Sequence, residues 1–370
     1  MTDISNPNWI VAQSHALKIG FLILACNEEL VIQKTIQSIQ QSLQTSDTLI
    51  VVADNCDDQT ARIAENAGVL VLKREDRNAP GKSAVLVWLV EQHKDLLRTF
   101  DFIVILDADS ILTDNFSNEL KRHITQTDLV LQCQLVPSEY EGSPISTLIA
   151  LSELIEQTVF QRLRSRLGLS VRLRGTGMIF KPDTLINFAP KLQTNVEDIA
   201  LSLLLVEGKI QIRSLTSPSI YDPKPSDQNA ATRQRARWFR GQWNSLWKFR
   251  HTVWNLVFRG PDGWSMLGAI FLKPRWLKLL LLAFLGVLFI RHPVLSAICF
   301  GLVAFDLVPI LVGIFLLPHP GRFFKALVHL PGFILMWIKG IVLSIRSKTW
   351  LRVRATNTVE NSNSNDGILR

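Results

Sequence analysis

The chain has 370 residues, 47% hydrophobic and 19% charged, which is enough for one large domain or two and excludes disorder over most of its length. Its formal charge of +8 invites a nucleic-acid reading, but residues 271–355 hold eleven Lys or Arg against one acid, Asp306, which leaves the other 285 residues at −2. The basic excess therefore flanks apolar runs, as at membrane segments, and no nucleic-acid partner is expected. Four scattered cysteines (Cys26, Cys56, Cys133, Cys299) suit a reducing compartment better than a disulfide framework. Met1–Leu17 lacks the basic and apolar regions of a signal peptide.

Strand and helix signals alternate along the front half. Ile19–Leu24 is a continuous apolar run of strand length, and Ile32, Ile36, Ile39 and Leu43 then recur at helical spacing. Leu49–Val52 reads as a second strand, Asp57–Asn66 as a short helix, Val69–Leu72 as a third strand. Ser83–His93 is helical and Phe102–Leu106 is a fourth strand. Such alternation predicts an α/β chain with a mostly parallel sheet covered by helices on both faces.

Ligands in such sheets bind beyond the carboxyl ends of the strands. Those ends carry Asn27-Glu28, then Asp54 with Asp57 and Asp58, then Asp107-Ala108-Asp109. So many carboxylates on one rim repel unless a cation sits among them. Asp107 and Asp109 offer hard oxygen ligands for Mg²⁺ or Mn²⁺, with substrate phosphates completing the shell. Gly81-Lys82 at a loop-to-helix junction places an amine where a diphosphate could meet it. A P-loop would need glycine where Asp76 stands, so half of that anion cradle is missing.

Further along, Gly175 and Gly177 form a pair that either lets backbone approach a ligand or makes a tight turn. Glu197-Asp198 opens a helix over Ile199–Val206. The segment from Arg233 to Trp243 mixes guanidiniums and indoles. Such a mixture fits a nucleic-acid patch, or a site that holds phosphate and stacks a sugar ring.

Three apolar stretches follow residue 270: Trp276–Ile290, Val294–Leu317 and Ala326–Ile345. The second has the length of a span, the first is short, and the third contains His329, Pro331 and Lys339. A hairpin of the first two, with the third at the interface on the catalytic side, leaves ten of eleven basic residues on one side and only Arg291 on the other. The positive-inside rule then makes the chain multi-pass in the plasma (inner) membrane, with the catalytic domain cytoplasmic.

In this order the motifs resemble the family 2 inverting glycosyltransferases of GT-A fold, in the membrane-attached branch related to cellulose, chitin and hyaluronan synthases. The likeness rests on Asn27-Glu28, Asp54 with Asp58 and Thr60, Gly81-Lys82, Asp107-x-Asp109, Glu197-Asp198 and Gln234-x-x-Arg237-Trp238. The ending Lys348-Thr349-Trp350-Leu351-Arg352-Val353-Arg354 resembles that of shorter bacterial members. The resemblance implies a Rossmann-like GT-A domain over 18–250, after an N-terminal segment 1–17. Interfacial and transmembrane helices over 251–355 and a disordered tail over 356–370 would follow. It implies that Asp54 meets the base of a nucleotide, uracil by expectation, and that Asn27 and Glu28 shape the nucleoside pocket. Lys82, Gln234 and Arg237 would bind diphosphate, with Asp107 at the ribose or the metal-bound phosphate and Asp109 on the metal. Asp198 would be the general base, Gly175 would let backbone approach the substrate, and Trp238 would floor the acceptor site. The family often has two adjacent acids where Ala53-Asp54 stands, and Val196 replaces its common threonine.

The expected activity is metal-dependent transfer of a sugar from a UDP-sugar to a lipid-linked, membrane-embedded or saccharide acceptor. A processive polysaccharide synthase is the rival within the class. A nucleotidyltransferase, a P-loop ATPase or a non-catalytic nucleotide-binding scaffold are the rivals outside it.

Overall fold

A computed structural model describes residues 17–138, 143–223, 227–317 and 319–346. The N-terminal segment 1–16, the 348–354 ending and the tail after it lie outside the described residues.

The front half follows the expected alternation: β1 (Ile19–Ala25), α1 (Ile32–Gln40), β2 (Thr48–Asp54), α2 (Thr60–Asn66), β3 (Leu70–Arg74), α3 (Lys82–Gln92), α4 (Lys94–Leu97) and β4 (Phe102–Asp107). Strands β3, β2, β1 and β4 lie side by side in that order, all parallel. Successive residues of β1 point to opposite faces. Leu22 and Leu24 join Leu86 and Leu89 of α3 on one face, while Phe21 and Ile23 join Ile32, Ile36 and Ile39 of α1 on the other. Burial on both faces is why these strands read as unbroken apolar runs.

The chain continues through β5 (Ile111–Leu112), α5 (Phe116–His123), β6 (Val130–Ser138) and α6 (Pro144–Ile155). A π-helical turn, Glu156–Gln161, leads into α7 (Arg162–Arg166). Next come β7 (Met178–Phe180), α8 (Pro182–Phe188), α9 (Glu197–Glu207) and β8 (Ile212–Pro223). These strands extend the sheet in the order β4-β7-β6-β8-β5. β7 is antiparallel to both its neighbours, β6 and β8 are parallel to each other, and β5 caps the far edge in the opposite sense. Six of the eight strands therefore share one direction, as expected of a mostly parallel GT-A sheet.

Helices α10 (Gln228–Lys248), α11 (Arg250–Val257) and α12 (Pro261–Phe271) wrap the domain. Leu256, Met266 and Ile270 are fully buried in the same core as Leu201, Leu203 and Leu205 of α9. The polar faces of α10–α12 carry exposed Trp243, Trp247, Trp254 and Trp264. Indoles so placed are typical of membrane interfaces.

Four helices close the described chain: α13 (Arg275–Leu288), α14 (Pro293–Leu316), α15 (Pro320–Ala326) and α16 (Leu330–Arg346). α13 and α14 lie side by side, joined by Ser296 Oγ donating to the Gly286 carbonyl at 2.8 Å and by a Lys278–Asp306 ion pair. Among the described residues, two stretches are long and apolar enough to cross a bilayer, Pro293–Leu316 and Pro320–Ile345. This differs from the expected pairing of the first two stretches. Pro274 and the Arg291-His292-Pro293 turn confine α13 to 14 residues, about 21 Å at 1.5 Å per residue and short of a hydrocarbon core of about 30 Å. The third stretch is not separate from the domain. α16 crosses α10 at Gly340, where a Cβ would lie 3.1 Å from Arg235 Cβ and 3.3 Å from the Thr232 carbonyl oxygen.

Gly177 sits where β7 begins, with φ +65°, and a Cβ there would come within 2.7 Å of Ile220 Cδ1 and 3.0 Å of Cys133 Cβ. Both the backbone and the neighbours therefore demand glycine. Gly177→Ala is expected to destabilise the fold by about 2–3 kcal/mol and to lower the thermal midpoint by several degrees. Gly301→Ala, which meets nothing within 4 Å, should not destabilise in the same melting experiment.

Candidate active site

A cavity of ≈ 1110 Å³ opens at the carboxyl ends of β1, β2 and β4. The sequence-predicted site residues from the strand ends, Asn27, Glu28, Asp54, Lys82, Asp107 and Asp109, all line it. So do Gly175, Asp198, Gln234, Arg237 and Trp238 from the second half. A separate shallow groove between Trp243, Trp247 and Trp254 shares no residue with this cavity.

The outer wall is built by turns that brace one another. Asn27 adopts φ +59°, and its Oδ1 accepts the Asp57 N–H at 2.7 Å. Thr60 Oγ1 accepts the Glu28 N–H at 2.8 Å and donates to Asp58 at 2.5 Å. Asp58 and Thr60 thus lock the β1 and β2 turns together. Asp54 is buried against Arg74, whose Nη1 donates to its Oδ1 at 2.6 Å, and Asn55 Nδ2 adds a second bond to the same oxygen at 2.9 Å. Arg74 also holds Asp76 at 3.0 Å. The acid that breaks the P-loop pattern is therefore part of this brace.

Electrostatics concentrate at Lys82 and its carboxylates. Lys82 Nζ is ion-paired with Asp107. Burial alone would lower the Lys82 pKa, but Asp107, Glu197 and Asp109 raise it above the ordinary lysine value. Asp109 is pushed up to about 7 by burial and by the charges of Asp107 and Asp222. Glu28 is pushed up to about 6 by burial and by Asp107. With Arg74 committed to Asp54 and Asp76, Lys82 and Arg237 are outnumbered by Glu28, Asp107, Asp109 and Glu197; the donors are hard oxygens, so the rim fits Mg²⁺ or Mn²⁺. Among the described residues no group of three or more His, Cys, Asp or Glu could enclose an ion alone. A metal here would depend on Asp107, Asp109 and substrate oxygens together.

Glu197 and Asp198 form the first turn of α9. Glu197 is pushed up to about 7, chiefly by burial, with the charge of Asp198 outweighed in part by Lys82. Asp198 is also raised by burial, against the pull of Arg172, the Ile199 N–H, Lys82 and Arg174. Gly175 has φ +84°, and a Cβ there would sit 3.7 Å from Glu197 Oε1. Gln234, Arg237 and Trp238 stand at i, i+3 and i+4 on α10, one face of one helix, and all three reach the cavity.

Beyond Asp198 the cavity has an inner arm that sequence reasoning missed. Arg172 and Arg174 line it together with Glu153 and Glu156 from α6 and the π-helical turn, Lys273 ahead of α13 and Arg275 at its first position. Glu156 takes Arg275 at 2.5 Å, Arg164 at 3.0 Å and Lys273 at 3.3 Å, and Arg174 is ion-paired with Glu153. Burial would raise Glu156, yet these cations and Arg172 hold it well below the usual carboxylate range. Arg172 and Arg174 alternate with the buried Val171 and Leu173, and charges at that spacing were a legible sign of a half-polar strand-like wall. Past the cations the lining becomes apolar, with Leu279 of α13, Ile310 and Ile314 of α14, and Phe333 of α16.

Residues 15–241 match the sequence profile described as glycosyltransferase like family 2, well over half of the chain. The chain belongs to glycosyltransferase family 2. Its fold is similar to that of a mannosyltransferase, PcManGT from Pyrobaculum calidifontis, solved with GDP-Man and Mn²⁺. The TM-score is 0.52 at 14% identity, over 90% of this chain and 88% of that one. Glucosyl-3-phosphoglycerate synthase from Mycobacterium tuberculosis, solved with Mn²⁺ and UDP, matches at TM-score 0.38 and 18% identity over 60% of this chain and 77% of that one. No curated protein matches the chain in sequence. Family membership displaces the ATPase and nucleotidyltransferase readings in favour of glycosyl transfer.

The Arg74–Asp54 pair supplies a test of how the outer wall is held. Asp54→Ala leaves the buried Arg74 guanidinium with Asp76 as its remaining carboxylate partner and is expected to cost about 2–3 kcal/mol of stability in denaturant unfolding. The exposed Arg77–Asp57 pair should contribute under about 1 kcal/mol by the same measurement.

Proposed function

We propose that this family 2 enzyme is a membrane-attached inverting glycosyltransferase. It moves a sugar from a nucleotide sugar, UDP-linked, to an acceptor presented from the membrane. The observation that carries the reading is the meeting, in one cavity, of the carboxylate rim, Asp198 and the Gln234/Arg237/Trp238 face of α10.

The chemistry is a single displacement. The acceptor hydroxyl oxygen bonds to the anomeric carbon, and the bond from that carbon to the diphosphate oxygen breaks. The acceptor proton passes to Asp198, and the nucleoside diphosphate leaves with the electron pair. Lys82, Gln234 and Arg237 hold the departing diphosphate, Asn27, Glu28 and Asp54 bound the nucleoside, Gly175 gives backbone access, and Trp238 presents a flat face to the acceptor sugar. Mg²⁺ or Mn²⁺, held by Asp107 and Asp109, would neutralise leaving-group charge.

Membrane attachment is supported by the outward faces of α14, where Ile298, Phe305, Val312 and Phe315 are all at least half exposed. Such an apolar surface is far larger than soluble monomers display. The charge asymmetry around these helices favours a catalytic domain on the cytoplasmic side of the plasma membrane. Two or three apolar segments are few for a translocation channel, which favours single transfer over processive synthesis.

The test is a donor screen on detergent-solubilised enzyme, following nucleoside diphosphate release with membrane lipid extract as acceptor. Release from one UDP-sugar, abolished by chelation and restored by Mn²⁺, is expected. Asp198→Asn should lower kcat by about 10²–10⁴ while nucleotide binding persists. Release of phosphate from ATP, indifferent to Asp198, would overturn the reading. Because burial raises Asp198, the acid limb of the pH–kcat profile should lie above the ordinary aspartate range, activity falling as pH drops and the base takes its proton.

A further inference from the structure

Cations crowd the inner arm of the cavity, beside the carboxylates of Glu153, Glu156, Asp198 and Asp222. Glu156 is one carboxylate shared by Arg164, Lys273 and Arg275, and Arg172 adds a fourth cation with no ion pair among the described residues. Arg174 is matched by Glu153, yet its Nε is buried without a partner. Arg235 is buried between the rings of Trp238 and Trp337, 4.4 Å and 5.0 Å from their centroids, and its Nε is also without a partner. The indole N–H groups of Trp276 and Trp337 complete a set of four buried, unsatisfied donors around the arm. Buried cations and orphan donors are costly, and they do not gather in a folded protein unless something accepts from them.

The composition of the lining is equally specific. Asp198, Arg172, Lys273 and Arg275 share the cavity with Leu279, one turn along α13 from Arg275, and with Ile310, Ile314 and Phe333. General base, cations and apolar helices thus line one cavity.

We infer that the inner arm is a binding site for a phosphate-class anion joined to an apolar chain. The anion is held by Arg172, Lys273 and Arg275, with the chain running between α13, α14 and α16. Resting on the transferase reading, this amphiphile is the acceptor: its phosphate tethers it, and a hydroxyl on the far side of the phosphate is what reaches Asp198. Several cations gathered around Glu156, with orphan donors beside them, favour phosphate over a single carboxylate. The apolar continuation favours a lipid over a free anion.

The test is titration of the full-length protein in nonionic detergent with dodecyl phosphate, dodecanol and inorganic phosphate, read by the fluorescence of the tryptophans. UDP with Mn²⁺ is titrated into the same samples. Dodecyl phosphate is expected to bind at least about tenfold more tightly than either of the others, since neither presents both halves of the ligand. Arg172→Gln and Lys273→Gln should each weaken it by about tenfold or more, and Arg172→Lys should recover part of the loss. Inorganic phosphate binding as tightly as dodecyl phosphate would overturn the apolar half of the assignment. Dodecanol binding as tightly, or indifference to both Gln variants, would overturn the anionic half. UDP binding retained in a variant that loses dodecyl phosphate shows that the variant is folded. Failure to bind UDP in the wild type would sink the transferase reading without bearing on the inner arm.

Discussion

Everything at the outer end of the cavity depends on one imbalance: carboxylates from several chain segments crowd a rim in which they outnumber the cations that face them. Lys82 is placed there by the Gly81 turn, where φ +105° starts α3, and it takes Asp107 as its partner. Burial first, and then the neighbouring carboxylates, push Asp109, Glu28 and Glu197 up to about 7, 6 and 7 despite the pull of Lys82. A rim of this kind is poised for cationic and phosphate-bearing ligands because binding relieves a cost already built into the fold. The rigid braces around it, Asp54 with Arg74 and Asp58 with Thr60, keep the carboxylates from moving apart.

The first half of the fold was legible because each parallel strand is buried on both faces and each helix carries an apolar stripe. Phe21 and Leu22 must both be apolar, and Ile32, Ile36 and Ile39 must fall on one side. The second half was not. β5 and β7 have two and three residues, too few to show any period, and β8 pairs with β6 through a register shift between Gln132 and Gln134. The site shows the same division. Residues adjacent in sequence at strand ends could be named, and so could the Gln234/Arg237/Trp238 set on one helix. Glu156, Lys273 and Asp222 could not, since each is unremarkable alone and acquires meaning only when three distant segments converge; for Arg172 only its alternation with Val171 and Leu173 was visible.

Helix α10 is the element that joins the two ends. One face carries Gln234, Arg237 and Trp238 toward the cavity, and Gly241 lets the helix cross tightly over Val196, where a Cβ would approach Cγ2 to 2.3 Å. The acid pair at the start of α9 is thereby fixed by a glycine on α10. The other face receives α16. Arg235 sits between these duties, its guanidinium covered by an indole from each helix.

That shared guanidinium has an evolutionary and practical reading. A mooring that only holds a catalytic domain near a bilayer can be exchanged for another hydrophobic segment, because nothing in the domain depends on its sequence. Here the last apolar helix contributes Trp337 and Phe333 to the chamber wall and meets α10 at Gly340. The apolar end of the chain is therefore a wall of the same chamber, and a change in α16 reaches the residues of α10 packed against it.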